Sequence, residues 1–297
     1  MSSEVDGLRD SSLGEILAAA PPYPRRVVCL TEETTEILYR LGAGDLVVGV
    51  SGFTVRPKEA RHKPKVSSFL DANFDRILEL KPDLVLGFSD LQADLGRELC
   101  RRCVPVVLFN QRSVAEILQT VRVVGALVGL CREAEGLARG LADNLIQTAE
   151  RARGLPRHPR VFFEEWHEPL ISGIRWVSEL IEIAGGQDIC PETRGASLAK
   201  GRIFDPMEIA RRDPDLVIAS WCGRKARRDH IVSRAGWDRV RAVVDDQLYE
   251  VKSSFILQPG PAALTDGLAQ IAAIIEAWAM RRDLPPRRAG DLRQAPW

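Results

Sequence analysis

Pro82-Asp83-Leu84-Val85-Leu86 and Pro214-Asp215-Leu216-Val217-Ile218 are the same phrase written twice in one chain. Each reads as the end of a short helix, a Pro-Asp turn, and a buried strand of continuous apolar residues. A second pair precedes them in the same order. Thr35-Glu36-Ile37-Leu38-Tyr39-Arg40-Leu41-Gly42-Ala43-Gly44-Asp45 matches Ser178-Glu179-Leu180-Ile181-Glu182-Ile183-Ala184-Gly185-Gly186-Gln187-Asp188. Both are amphipathic helices stopped by glycine, the usual left-handed C-cap. One match is chance; two in register point to two lobes of related build.

Working outward, apolar runs place strands at Arg26–Leu30, Leu46–Val50, Leu84–Phe88 and Val104–Phe109, then at Arg160–Phe163, Leu216–Ser220 and Leu248–Val251. Helices alternate with them, which predicts parallel sheets of α/β class. Ser113 with Glu116 forms a capping box. Asp205-Pro206 with Glu208 opens another helix, with proline where a missing N–H costs nothing. Arg132 to Arg153 is amphipathic with few breakers, and about 20 helical residues span about 30 Å. A flexible hinge would show Gly, Ser and Pro instead. The expected architecture is therefore two Rossmann-like lobes joined by a long rigid helix. Its segments are a loose 1–24, a lobe over 25–131, a connector over 132–155, a lobe over 156–280 and a loose tail over 281–297.

The bulk numbers fit a globular protein: 297 residues, 45% hydrophobic and 28% charged. Lys+Arg and Asp+Glu balance at 41 each, so net charge points to neither nucleic acid nor an anionic membrane. No apolar stretch approaches a membrane span. Met1 to Asp10 carries Glu4, Asp6, Arg9 and Asp10, and only Ile16 to Ala20 is apolar, which is short for an export signal. The expected compartment is the cytoplasm. Six cysteines lack disulfide-framework spacing, and the Cys100/Cys103 pair reads as small residues on a helix face.

Leu46-Val47-Val48-Gly49-Val50-Ser51, Lys65-Val66-Ser67-Ser68-Phe69 and Leu78-Glu79-Leu80-Lys81-Pro82-Asp83-Leu84-Val85 together resemble the first lobe of class III periplasmic binding proteins. These are the vitamin B12 and ferric-siderophore receptors that feed ABC importers. Pro169-Leu170-Ile171-Ser172-Gly173 and Ile183-Ala184-Gly185-Gly186 are similar to the second lobe of the vitamin B12 branch. The resemblance implies a ligand cleft between the lobes, as open α/β sheets favour. It also implies aromatic contacts to a corrin ring at Phe53, Phe69 and Phe255. Permease docking in that family uses an acid from each lobe; Asp75 and Glu208 (or Asp205) stand near the matching helix starts. Helix-end electrostatics explains the same acids.

Other residues are placed by the strand ends. Glu164-Glu165-Trp166-His167-Glu168 follows the strand that opens the second lobe, as a ligand-binding cluster or a solvated acidic loop. His167 is the best-placed metal ligand of four histidines. Trp221-Cys222, Trp176, Ser89 and Gln258 also line the expected cleft; core packing for the tryptophans and helix capping for Ser89 are the alternatives. No P-loop, GxGxxG after a strand, HExxH or GxSxG is present, so no catalytic residue is assigned. The expected function is a monomeric cytoplasmic corrinoid (cobalamin-like) binding protein, a carrier or sensor. One alternative is the substrate-binding component of an ABC importer for cobalamin or ferric siderophore. Another is an enzyme acting on a tetrapyrrole or metal chelate. The strand ends are aromatic, acidic and neutral, and this favours a corrinoid with neutral amides over an anionic chelate.

Overall fold

The computed structural model describes residues 23–282 and 290–295. In the first lobe β1 (Val27–Cys29), β2 (Val47–Ser51), β3 (Lys65–Ser68), β4 (Asp71–Ala72), β5 (Leu84–Phe88) and β6 (Val106–Phe109) form one sheet, ordered β4-β3-β2-β1-β5-β6. In the second, β7 (Arg160–His167), β8 (Leu170–Ser172), β10 (Ile203–Phe204), β11 (Leu216–Ala219) and β12 (Leu248–Glu250) are ordered β10-β8-β7-β11-β12. There β9 (Gln187–Asp188) pairs with β7. The strands expected from the sequence pair in parallel, and both sheets are made mixed by short additional strands. β4 runs antiparallel to β3, and β8 antiparallel to β7 and β10. These antiparallel strands are two or three residues long, too short to carry a readable apolar run.

The helices of the first lobe are α1 (Glu32–Arg40), α2 (Phe74–Glu79), α3 (Ala93–Arg101) and α4 (Val114–Leu127). The connector is α5 (Cys131–Arg153). The second lobe has α6 (Arg175–Ile183), α7 (Pro206–Arg212), α8 (Arg228–Val232), α9 (Arg241–Val244), α10 (Ser253–Ile256) and α11 (Leu268–Ala279).

The repeated phrases do the same work in both lobes. The Asp83 carboxylate accepts from the N–H groups of Arg25 (2.7 Å) and Arg26 (2.8 Å), while its own N–H donates to Arg26 O. Asp215 accepts from Arg160 N–H at 2.8 Å and donates to Arg160 O. Arg26 reaches Leu80 O at the end of α2, and Arg160 reaches Arg212 O at the end of α7. Each aspartate thus splices its strand to the entry of the lobe's first strand. The glycine stops agree as well. Gly42 (φ +77°) and Gly185 (φ +90°) are left-handed, with Ala43 N–H donating to Leu38 O and Gly186 N–H to Ile181 O. That is the Schellman closure, which a side chain would strain.

The 23 residues of α5 give about 34 Å of helix. Its buried face (Ala134, Ala138, Leu141, Leu145) packs on α4, where a Cβ at Gly125 would lie 2.2 Å from that of Ala134. One apolar core runs from Val27 and Ile37 through Val121 and Leu141 to Val161 and Ile275, across both lobes. Polar ties cross the same seam: Arg56 to Asp266 (2.5 Å), Gln111 to Pro259 O (3.0 Å) and Val114 N–H to Glu179 (2.7 Å). Rotating one lobe on the other would break all three.

The tail expectation is corrected for 290–295. Arg293 pairs with Tyr249, its N–H donating to Leu248 O and its carbonyl accepting from Glu250 N–H, while Leu292 and Ala295 are buried. Residues 1–22, 283–289 and 296–297 lie outside the described residues, and with them most of the segment expected to be loose at the start. Cys100 and Cys103 are exposed, not buried on a helix face; Cys103 sits just past α3 with φ +58°.

Candidate functional site

The carboxyl ends of β2 and β3 place the aromatics of the first lobe. Past β2 the chain turns with Phe53 N–H donating to Ser51 Oγ (3.1 Å), and the ring stands 57% exposed. Past β3, Phe69 is half-buried with φ +51°, and Leu70 beside it is exposed. The fully buried Gln92 holds this turn, donating to Phe69 O (2.6 Å) and accepting from Phe88 N–H (3.0 Å). Ser89 does not reach the surface: it is buried, and its hydroxyl accepts from Leu91 N–H as a cap. That corrects its place among the ligand contacts.

Across the seam, Phe255 and Gln258 are half-buried. The guanidinium of Arg56 lies over the Phe255 ring, 4.9 Å from its centroid. Phe53 and Gln258 share one recess with Glu32, Glu36, Val55, Arg56 and Ser254, so residues from both lobes meet there. Cys222 keeps accessible surface. Desolvation pushes its thiol up, with Glu165 of its own lobe and Glu32 of the other adding to the effect, which sets it at the lobe boundary.

The rest of the second-lobe cluster is structural. β7 runs on to His167 where the sequence predicts an end at Phe163, so Glu164 faces the lobe's own core. Fully buried, it accepts from Arg234 twice (2.7 and 2.8 Å) and from the Trp221 indole (3.0 Å). Trp221 and Trp176 are each 3% exposed, the latter donating to Ile256 O. Glu164, Trp221 and Trp176 are therefore corrected from ligand contacts to packing. Glu165 is clamped by buried Arg202 (2.7 and 2.9 Å), and Trp166 is half-buried beneath Arg224. His167 stacks on Trp221 (4.2 Å) and lies 5.0 Å from the His230 ring. Burial, then His230, lowers its pKa, and its Nδ1 is buried without a partner. Among the described residues no three His, Cys, Asp or Glu side chains are grouped to hold a metal.

Sequence reasoning missed the arginines. Arg56 and Arg112 come a few residues after their strand ends, where no pattern marks them. Arg112 lies over Phe88 (4.6 Å) and donates to Asp90 (3.2 Å); burial lowers its pKa, and its Nε is buried without a partner. The reading of the cleft as aromatic, acidic and neutral is corrected accordingly, and the charge argument for a corrinoid goes with it.

A two-lobed α/β body with its recess at the seam defines a ligand-binding protein, and comparison with known proteins says which kind. The chain belongs to the periplasmic binding protein family, whose model matches residues 27–255. It is a binding protein and not an enzyme. It is 26% identical to an uncharacterized ABC transporter substrate-binding lipoprotein of Bacillus subtilis, over 85% of this chain and 80% of that one. It is 26% identical to the vitamin B12-binding protein of Pectobacterium atrosepticum, over 68% of this chain and 74% of that one. Its fold superposes on a periplasmic heme binding protein from Pseudomonas aeruginosa with TM-score 0.73 and 18% identity, covering 92% of this chain and 99% of that one. No described helix is long and apolar enough to cross a membrane.

Proposed function

We propose that this chain is the substrate-binding component of an ABC importer and holds a metal-bearing macrocycle or iron chelate between its lobes. One observation carries the reading: an exposed aromatic, Phe53, shares a recess with Phe255's neighbours Ser254 and Gln258 across the seam. A flat apolar side chain beside a polar wall suits a planar ligand with a polar fringe. The relatives' names, vitamin B12-binding and heme binding, support that ligand class. They do not support the cytoplasmic carrier or sensor; the related chains are transport components.

Docking on a permease would use Asp75 of α2 and Glu208 of α7, which occupy matching first turns in the two lobes. The Asp75 side chain is 91% exposed. Glu208 is held by Arg211 (2.5 Å) and Arg212 (3.1 Å) of its own helix, so lobe one presents the freer acid. The test is titration with cyanocobalamin, iron protoporphyrin and ferric chelates by absorbance and calorimetry. Micromolar or tighter binding, about −8 kcal/mol or better, is expected for at least one. Binding of none would end the reading.

A further inference from the structure

We propose that Cys100 and Cys103 are a dithiol that closes to a disulfide across the turn ending α3, a reversible modification site on the surface of the first lobe. Neither residue lines the recess between the lobes, so the site is separate from the ligand.

The backbone brings the two residues together. Cys103 N–H donates to Cys100 O (3.0 Å) and Val104 N–H to Leu99 O (3.1 Å), the two bonds of a Schellman closure. Between the cysteines, Arg101 is the last helical residue and Arg102 has φ −90° and ψ 14°, the dihedrals of a type I turn. Such a turn holds its end Cα atoms within about 7 Å, and a disulfide spans about 4.4–6.8 Å. Leu99 and Val104 are buried in one apolar core. The turn is thus pinned on its inner side while both cysteines stay exposed.

Packing accounts for neither thiol. Cysteine is among the most buried residue types, and Cys29 and Cys190 of this chain follow that rule. Cys103 also takes φ +58°, the left-handed position that Gly42, Gly129 and Gly185 fill after α1, α4 and α6. A side chain there is held against a strain that glycine avoids. Asp246 bears the same strain (φ +52°), and its carboxylate binds Arg228 and Arg293. At Cys103 the group so placed is a thiol, with a second thiol three residues back.

The step balances with a disulfide as oxidant, here oxidised glutathione. One cysteine thiolate attacks a glutathione sulfur, forming a mixed disulfide and releasing one glutathione thiolate. The second cysteine then attacks the protein sulfur of that bond; the Cys100–Cys103 bond forms and the other glutathione leaves. Two electrons pass from the cysteines to the oxidant, and the two thiol protons end on the two glutathiones.

The pair also adjoins α2. Arg102, between the cysteines, donates to Glu98 (3.0 Å) and lies over the Phe74 ring (5.1 Å), with Asp75 at 3.9 Å. Closing the bridge restrains the residue that faces the acid assigned above to permease docking. That consequence rests on the docking reading; the bridge itself does not.

The experiment equilibrates the full chain, folded and in urea, with mixtures of oxidised and reduced glutathione, alkylates the remaining thiols and digests with trypsin. Trypsin cuts after Arg97, Arg101, Arg102 and Arg112, so residues 98–101 and 103–112 travel together only where the bridge has formed. The joined pair is expected in the folded chain, resisting reduced glutathione roughly tenfold or more better than in the unfolded chain, because the turn is already closed. Cys103→Gly suits the left-handed position and should melt no lower than reduced wild type. It should lose the joined pair and leave Cys100 singly glutathionylated. Equal bridging in folded and unfolded chains, singly glutathionylated peptides alone in wild type, or a bridge running mainly to Cys131 overturns the proposal and leaves the substrate-binding reading standing.

Discussion

Each lobe keeps a buried glutamate near the carboxyl end of its central strand, and the two are kept in opposite ways. Glu164, on β7, is gripped by the Arg234 fork and the Trp221 indole. Glu33, in the first turn of α1, has the Thr31 hydroxyl on one oxygen and no partner on the other. Glu32 and Glu36 stand close and oppose its ionisation further. A carboxyl taken out of water stays charged only if a cation goes in with it; otherwise it keeps its proton. The second lobe is thus braced at its strand end by an ion pair. The first lobe carries a neutral acid there, with its aromatics outside.

Breaking the brace should have the largest effect. Glu164→Ala leaves Arg234, only 10% exposed, without its counter-charge, and should cost roughly 3–5 kcal/mol in urea unfolding. A loss under about 1 kcal/mol would mean that the pair is merely decorative. The aromatics should divide in the same way. Trp221→Ala should cost roughly 3–5 kcal/mol of stability. Phe53→Ala should leave stability nearly unchanged and weaken ligand binding by roughly 1–3 kcal/mol. The reverse ranking would move the ligand platform to the second lobe.

Glu33 sharpens the comparison through pH. Its folded pKa of about 8 lies above the ordinary 4.5, so between those values the folded chain holds a proton that the unfolded chain has released. Stability from this group is fully present at the acid end of that window and is lost as pH rises toward 8. Glu33→Gln keeps a neutral side chain, so its melting temperature should fall less than that of wild type between pH 5 and pH 8.5, as melting curves across that range would show. Parallel curves would place a charge on Glu33 after all. The smallest expected effect is at the boundary thiol. Bound ligand should slow labelling of Cys222 and leave exposed Cys131, at the start of α5, unchanged. Cys29, buried and pushed up to about 12, should not label in the native state.

The frame of the molecule was legible because it depends on backbone chemistry that single residues announce. Pro-Asp turns, glycine stops and the Ser113–Glu116 capping box each act within a few residues, and each stands where the pattern puts it. The short strands β4, β8, β9 and β10 were not legible; they exist because a neighbouring edge was open to pair with them. The return of Arg293 to β12 has the same origin. At the site, the exposure of Phe53 agrees with a binding role. Glu164 was misplaced because β7 ran four residues longer than its apolar run. Trp176, at the start of α6, and Trp221, just past β11, pack into two different apolar cores, which their positions after strands do not reveal.

The sequence by itself determined two α/β lobes, their order and a stiff helix between them, since periodicity, caps and turns are local and survive without knowledge of neighbours. Only the tertiary structure decided which buried carboxyls meet a cation. Arg234 and Glu164 are far apart in the chain, and nothing near either residue foretells their pairing. It also decided where the cations gather: Arg40, Arg56 and Lys252 come from a helix, a loop and the other lobe, and meet only when the lobes close on one core. Burial and electrostatic pairing are properties of what surrounds a residue in space, and a linear sequence does not list those neighbours.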